Sequence, residues 1–290
     1  MAAIAYITDS KMLELHRLNG HKTINFWRIS TNVNFSDFME GDLVFFLSKD
    51  KEHKKGNEKG IVGFGRLAYF TSGSVKTMWD KYGVNNGYRT LEEFKEAIAK
   101  VSKDKKLPKK ISGFYLENVT FFQPVYLSEC GMQISDRVES YVYLKQEDVV
   151  VKLLALAKEA GDIWSSYSDN LKAIRTEELL YALFCTHRKI KDIRTTDKTS
   201  RKAKKTLQQY LEKHEGYRFL QDSVNELYKA DEYNIEIIFY RDKDVDDKLI
   251  FGQASLYRYY LNKFSDAYYR LKFSCSDEDD EMKYVLNTTE

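Results

Sequence analysis

The chain has 290 residues, 43% of them hydrophobic and 14% aromatic, enough to bury one large core or two ordinary ones. Its 46 basic and 44 acidic residues leave a formal charge of +2, so composition alone points to neither nucleic acid nor a membrane surface, and any such signal must be local. No stretch approaches the ~18 consecutive apolar residues that span a bilayer, the N-terminus has no basic n-region, and Cys130, Cys185 and Cys275 lack the spacing of a disulfide framework or a structural zinc site. The expectation is a soluble protein of a reducing cytoplasm, with no metal, no cofactor and no membrane partner.

The first half reads as short β-rich runs separated by loops. AIAYIT (3–8), INFWRIS (24–30), DLVFFLS (42–48), GIVGFGRLAYF (60–70) and ISGFYLENVTFFQPVYL (111–127) are the predicted strands. Within INFWRIS, alternation puts Phe26 and Arg28 on one face and Asn25 and Trp27 on the other, so at least one aromatic is plain core. Gly63 and Gly65 sit inside a strand with no helix directly after them, which favours a bulge or a close backbone approach over a phosphate loop. The stretch WDKYGVNNGYRTLEEF (79–94) is a turn by its glycines, since Gly83 and Gly87 tolerate positive φ around Asn85 and Asn86. Thr90 and Glu93 then have capping-box spacing and start a helix through FKEAIAKV.

Near residue 145 the texture changes to helical periodicity. EDVVVKLLALAKEAG (147–161), TEELLYALFCTHRKI (176–190), SRKAKKTLQQYLEKHEG (200–216) and GYRFLQDSVNELYKA (216–230) are the predicted helices, with NIEIIFY (234–240), KLIFG and YRLKFS as strands. The expected class is α+β, with three segments: a β-barrel domain with flanking helices over 1–145, a mainly helical domain with a small β-hairpin over 146–276, and an acidic flexible tail over 277–290. Residues 1–145 carry 22 basic against 17 acidic residues, or +5, and residues 146–290 carry 24 against 27, or −3. The basic residues cluster twice. Lys105, Lys106, Lys109 and Lys110 lie in the first run; Arg188, Lys189, Arg201, Lys202, Lys204 and Lys205 lie in the second, where nine cations face two aspartates between 187 and 205. Such runs suit phosphate backbones, where each neutralised phosphate releases counterions.

The series NFWRIS, FSDFMEGDLVFFL, GIVGFGRL, SVKTMWDKYGVNNG, LEEFKEAI and FYLENVTFF resembles the PUA-like readers of the EVE and SRA-like group. The likeness is greatest to the N-terminal domain of modification-dependent restriction proteins that carry an HNH nuclease behind it. It covers roughly residues 24–126 and rests most on Trp79, Tyr82, Gly83, Asn86 and Gly87, with Trp27 and Arg28 as a second shared pair. Ile29 stands where that group more often has proline. The resemblance implies a compact β-barrel whose aromatic pocket holds a flipped, often modified, base of DNA, in a restriction or defence setting. Phe26, Trp27, Trp79 and Tyr82 would offer flat faces, with Arg28 beside them, and Ser30, Thr31, Asn32, Asn85 and Asn86 would read the base edge.

No catalytic residue is assigned. Only His187 and His214 follow residue 145 and both sit in helical patterns, which excludes an HNH site. Glu236 and the acidic turn Asp242, Asp244, Asp246 and Asp247 are the candidates for a divergent nuclease, and Cys185 reads as a buried thiol on an apolar helix face. The expected partner is DNA with a modified cytosine or adenine, with RNA as an alternative, and a separate nuclease as a possible protein partner.

Overall fold

The computed structural model describes residues 3–29, 35, 37–52, 58–102, 105–135, 138, 140–162, 166–193, 201–221, 223–241, 246–265 and 268–288. Two compact units are present, Met1–Ile174 and Arg175–Glu290, and the division falls inside a long helix.

The first unit is built on six strands: β1 (Ala3–Thr8), β2 (Ile24–Arg28), β3 (Leu43–Glu52), β4 (Glu58–Gly73), β5 (Ile111–Val125) and β6 (Tyr141–Leu144). They form one sheet in the order β2-β5-β4-β3-β1-β6, antiparallel except for the β1–β3 pair. Helices α1 (Ser10–Leu18), α2 (Val75–Tyr82), α3 (Leu91–Val101) and α4 (Glu147–Ala160) flank it. In β3 every residue from Leu43 to Leu47 is buried, as a central strand covered on both faces requires. The glycine expectation holds. A Cβ on Gly63 would lie 2.7 Å from the Thr120 carbonyl oxygen and one on Gly65 would lie 2.9 Å from Leu116, while the β4–β5 register shifts around both.

The sheet is curled. In a flat sheet β1 and β2, four places apart, would be separated by about 19 Å, yet the rings of Tyr6 on β1 and Phe26 on β2 are 5.0 Å apart. Ile4, Phe26, Val44, Phe46, Leu67 and Phe114 fill the concave side. The expected closed barrel is not present among the described residues: β2 and β6 are the two ends of the sheet, and no ladder joins them. Alternating hydrophobicity marks strands and their faces, but closure depends on which backbone edges meet.

Residues 146–174, placed by texture with the helical half, group with the first unit. α4 packs on β5, the Gln123 amide donates to the Gly161 carbonyl at 2.7 Å, and Arg17 is paired with Asp162 at 2.5 Å.

The second unit is less helical than expected. It contains most of α5 (Tyr167–Ile193), then α6 (Arg201–Lys213), β7 (Arg218–Phe219), β8 (Glu226–Ala230), β9 (Asn234–Phe239), α7 (Asp247–Phe264), β10 (Arg270–Cys275) and α8 (Asp280–Thr288). Its four strands form a mixed sheet in the order β10-β9-β8-β7, with β10 parallel to β9. The segment 216–230, expected to be helical, is β7, a loop and β8. Gly216 at φ +86° ends α6, and Leu227 is buried against Leu207, Tyr210 and Ile238 through pairing with β9. KLIFG, expected as a strand, is instead the start of α7, where the Asp246 carboxylate accepts from the Lys248 amide. YRLKFS does supply a strand, β10.

The acidic tail is ordered from Asp277 through Thr288. Arg241 donates to Asp247 at 2.9 Å, to Asp277 at 3.0 Å and to Asp279 at 2.6 Å, and the hydrogen bonds to Asp247 and Asp279 hold its pKa above the usual arginine range. Met282 and Leu286 of α8 are buried. A solvated tail would tolerate Leu286→Ala. The packed helix predicts a loss of ~2 to 5 kcal/mol, read as an earlier urea or thermal midpoint of the full chain.

Candidate nucleic-acid interface

At the open seam of the curled sheet, where the end of β1 faces β2, lies a two-part cleft. Its inner part has a volume of about 420 Å³ and is lined by Tyr6, Thr8, Phe26, Arg28 and Ser140 among others. Its outer part, about 630 Å³, runs between α1 and α3 and is lined by Leu15, Arg89, Ala97 and Lys100 among others. Asp9, Trp27, Lys49, Tyr88 and Val101 line both, so the two are continuous. These volumes lie in the range of small-molecule sites, ~300 to 1,000 Å³.

Trp27, near the end of β2, has its ring centroid 5.6 Å from Phe94 at 75° and 6.2 Å from Tyr88 at 46°. Phe94 is core, so Trp27 is held from behind by α3 and lines the cleft beside Tyr88. Burial, followed by the charge of Asp9, pushes the Tyr88 phenol well above its usual pKa, so it stays a neutral wall. Arg28 is only 9% exposed. Its Nε donates to the Ser112 hydroxyl on β5 at 3.0 Å, its guanidinium lies 4.7 Å from the Phe35 ring centre, and it hydrogen-bonds the Tyr6 phenol across the seam. Burial lowers its pKa from the ordinary arginine value, an effect opposed by Tyr6. Phe26 is largely core, against Tyr6 and Phe114, and reaches the inner cleft.

The stretch 79–94 supplies one wall of this cleft through residues other than those the sequence singles out. Trp79 packs on Phe94 at 6.0 Å within the cluster of Val75, Met78 and Ile98, and Tyr82 packs on Tyr115 at 5.5 Å. Neither lines the cleft. Asn85 donates to the Thr23 hydroxyl at 3.3 Å. Asn86 is fully buried: its amide donates to the Met78 and Gly83 carbonyls at 3.1 and 2.8 Å, and its oxygen accepts from Asn25 at 2.7 Å. Thr71 in turn donates to Asn25 at 2.8 Å. Asn86 is therefore an internal cross-link between the turn and β2 and has no edge to offer a base.

Gly87, at φ +88°, is required where it stands. A Cβ there would lie 2.3 Å from Met12 and 3.2 Å from His16 Nε2. Its turn directs Tyr88 and Arg89 to the cleft, and the position of Tyr88 directly after the second glycine was the signal available in the sequence. The Thr90 hydroxyl accepts from the Glu93 amide as expected, while the Glu93 carboxylate receives the Arg89 amide rather than that of Thr90. Ser30, Thr31 and Asn32 lie outside the described residues.

The basic clusters are separate features. Lys105, Lys106, Lys109 and Lys110 are exposed on the loop before β5. In the second unit, Arg201, Lys202, Lys204 and Lys205 are exposed on α6, whose opposite face buries Ala203, Leu207 and Tyr210. Arg201, Lys204, Lys205 and Gln208 border a shallow groove of about 400 Å³. Lys189 is exposed on α5, where Arg188 donates to Gln221 at 3.1 Å and is held within its own unit. Of the nuclease candidates, Asp246 caps α7 and Asp247 holds Arg241, Glu236 is half-buried on β9 and hydrogen-bonds Tyr217, and Asp242 and Asp244 lie outside the described residues. Cys185 is buried on α5 as expected. No helix among the described residues is long and apolar enough to cross a membrane.

Fold and site together define an α+β protein with an aromatic cleft at the open seam of a curled sheet. No family model and no curated protein matches the chain. Among solved structures it is similar to ASCH from Zymomonas mobilis, at 14% identity and a TM-score of 0.38 over 53% of this chain and 94% of that one. Two single-substitution variants of the same ASCH protein match at 14 and 15% identity with TM-scores of 0.39. Likeness at this level outlines half the chain and carries no functional weight.

Two outcomes follow from the site's framework. Asn86→Ala removes three buried hydrogen bonds and leaves their partners unsatisfied, so it is expected to lower stability by ~1 to 3 kcal/mol or more, seen as a lower Tm of the unliganded protein. His16, buried with Nδ1 2.9 Å from His21 Nδ1, has its pKa lowered to about 3, by burial first and by His21 second. Its neutral form is the one that folds. The stability it contributes is complete above the unfolded value of ~6.5 and declines as pH falls towards about 3, by up to ~1.4 kcal/mol per pH unit. Urea unfolding at several pH values checks this, and His16→Phe should flatten the dependence.

Proposed function

We propose that the chain is a nucleic-acid-binding protein that holds one unstacked base in the seam cleft and grips phosphates with exposed lysines and arginines. The observation that carries this reading is the cleft wall itself: Trp27 and Tyr88, two flat side chains backed by Phe94, beside a guanidinium at the inner end. A flipped base needs an apolar face to replace its lost stacking and polar groups for its edge. Trp27, Tyr88, Arg28 and Tyr6 supply both, with Lys49 and Lys100 at the rim. The exposed cations of α6 and of residues 105–110 suit the backbone. In its finer form, supported by the sequence resemblance, the base is a modified cytosine or adenine in DNA, read in a restriction or defence setting together with a partner nuclease.

Binding of single-stranded and duplex oligonucleotides over a range of salt concentrations tests the reading. Trp27→Ala should weaken binding by ~1 to 3 kcal/mol, the worth of one base–aromatic stack, without changing the salt slope. Replacing Arg201, Lys204 and Lys205 by glutamine should flatten the slope by ~0.7 to 0.9 for each phosphate that is no longer neutralised. Unchanged affinity of a folded Trp27→Ala protein would remove the base from the cleft, and an unchanged slope would return α6 to ordinary solvated surface.

A further inference from the structure

The outer face of α6 is organised beyond its charge. The helix is fixed to its sheet by Ala203, Leu207 and Tyr210, the last two packed with Leu227 of β8 and Ile238 of β9, so its opposite face stands on a rigid base. On that face Arg201, Lys205, Gln208 and Glu212 follow one another at i, i+4, i+7 and i+11 and form a single stripe. Lys204 and Gln209 flank the stripe, and all six side chains border the groove of about 400 Å³. All six are exposed, and among the described residues none of them makes a hydrogen bond or an ion pair. Along the helix the cations come first, then the two amides, then a carboxylate.

Resting on the reading of the chain as a nucleic-acid-binding protein, we infer that α6 enters the major groove of duplex DNA, where Gln208 and Gln209 read adenine while Arg201, Lys204 and Lys205 hold phosphates at the groove's edge. The dimensions agree, since a helix with its side chains is ~10 to 12 Å across and the major groove of B-DNA is ~12 Å wide. The planar amide of glutamine carries a donor and an acceptor side by side, the complement of adenine N7 and N6. The three cations by themselves would suit a backbone laid along the whole helix. Glu212 would not: its carboxylate repels a phosphate, whereas on a groove floor it accepts from a cytosine amino group. The mixed stripe therefore fits a backbone at one end and base edges at the other. Because its side chains are unengaged among the described residues, docking breaks no contact described within the protein.

The test uses the full chain and three probes of equal length: an alternating A·T DNA duplex, the same duplex with 7-deazaadenine in place of adenine, and an alternating A·U RNA duplex. 7-Deazaadenine keeps the pairing, the minor groove and the phosphates and removes only the N7 acceptor. The A-form RNA duplex keeps the phosphates, but its major groove is too deep and narrow for side chains to read. The A·T duplex should bind about fivefold tighter than its 7-deaza form and about tenfold tighter than the RNA duplex, in the lower range for a specific base contact. Gln208→Ala combined with Gln209→Ala should bring the two DNA duplexes within about twofold of each other while leaving the salt slope unchanged. Both positions are exposed, and a melting curve verifies that the variant is folded. If the wild-type protein does not distinguish the two DNA duplexes, or binds the RNA duplex as tightly as the A·T DNA, or the folded double variant keeps the discrimination, the inference fails. The phosphate grip then stands if replacing Arg201, Lys204 and Lys205 by glutamine still flattens the salt slope, and an unmoved slope removes α6 from the nucleic acid altogether.

Discussion

The first unit depends on how a six-stranded sheet that does not close is kept curled. Backbone hydrogen bonds cannot do it, because among the described residues β2 and β6 share no ladder. Side chains take their place: Arg28 reaches from β2 to the Tyr6 phenol of β1, and the Tyr6 ring meets Phe26 edge-on and stacks on Tyr141 of β6. A ladder would bring strands to ~4.8 Å and fill the space between them. Side-chain bridges hold the two edges further apart, and the cleft occupies that gap. The cavity and the curvature are thus two results of one arrangement, and Arg28 takes part in both.

Much of this was legible in the sequence, for reasons that can be assigned. The strands of the first unit follow from period-two runs, and the bulged crossing of β4 over β5 follows from Gly63 and Gly65. Trp27 and Arg28, the second shared pair of the family resemblance, both line the cleft. Trp79, Tyr82 and Asn86 were attached to the pocket by proximity in sequence. In space they belong to the support behind it: Trp79 and Tyr82 of α2 pack on Phe94 of α3 and Tyr115 of β5, and Asn86, in the turn after α2, accepts from Asn25 of β2. What the sequence leaves open is which side of the turn lines the cleft. Gly87 decides that, and its φ follows from its contact with Met12 and His16, residues about seventy positions away.

The second unit was misread where local pattern and tertiary pairing disagree. Phe219, Leu220, Val224, Leu227 and Tyr228 satisfy a helical spacing, yet β9 offers a continuous apolar edge at Ile235, Ile237 and Ile238, and pairing with it overrides the local preference. The acidic run was misread because its charge dominates its composition. One arginine, Arg241, gathers Asp247, Asp277 and Asp279, and two apolar residues that follow, Met282 and Leu286, complete the packing.

The position of β6 in the sheet fixes when the first unit can be finished during synthesis. β1 pairs in parallel with β3 on one side and antiparallel with β6 on the other, so its second edge waits for a strand that begins at Tyr141. Contacts this distant in sequence form late, after the loop entropy between them has been met. Ser140, just ahead of β6, lines the inner cleft, and Tyr141 stacks on Tyr6. A nascent chain stopped before this point can hold β1 to β5, with Trp27 already on β2, but its inner cleft lacks Ser140 and the Tyr141 ring that stacks on Tyr6. The β6 side of the inner cleft is therefore completed late, when Ser140 and Tyr141 are in place.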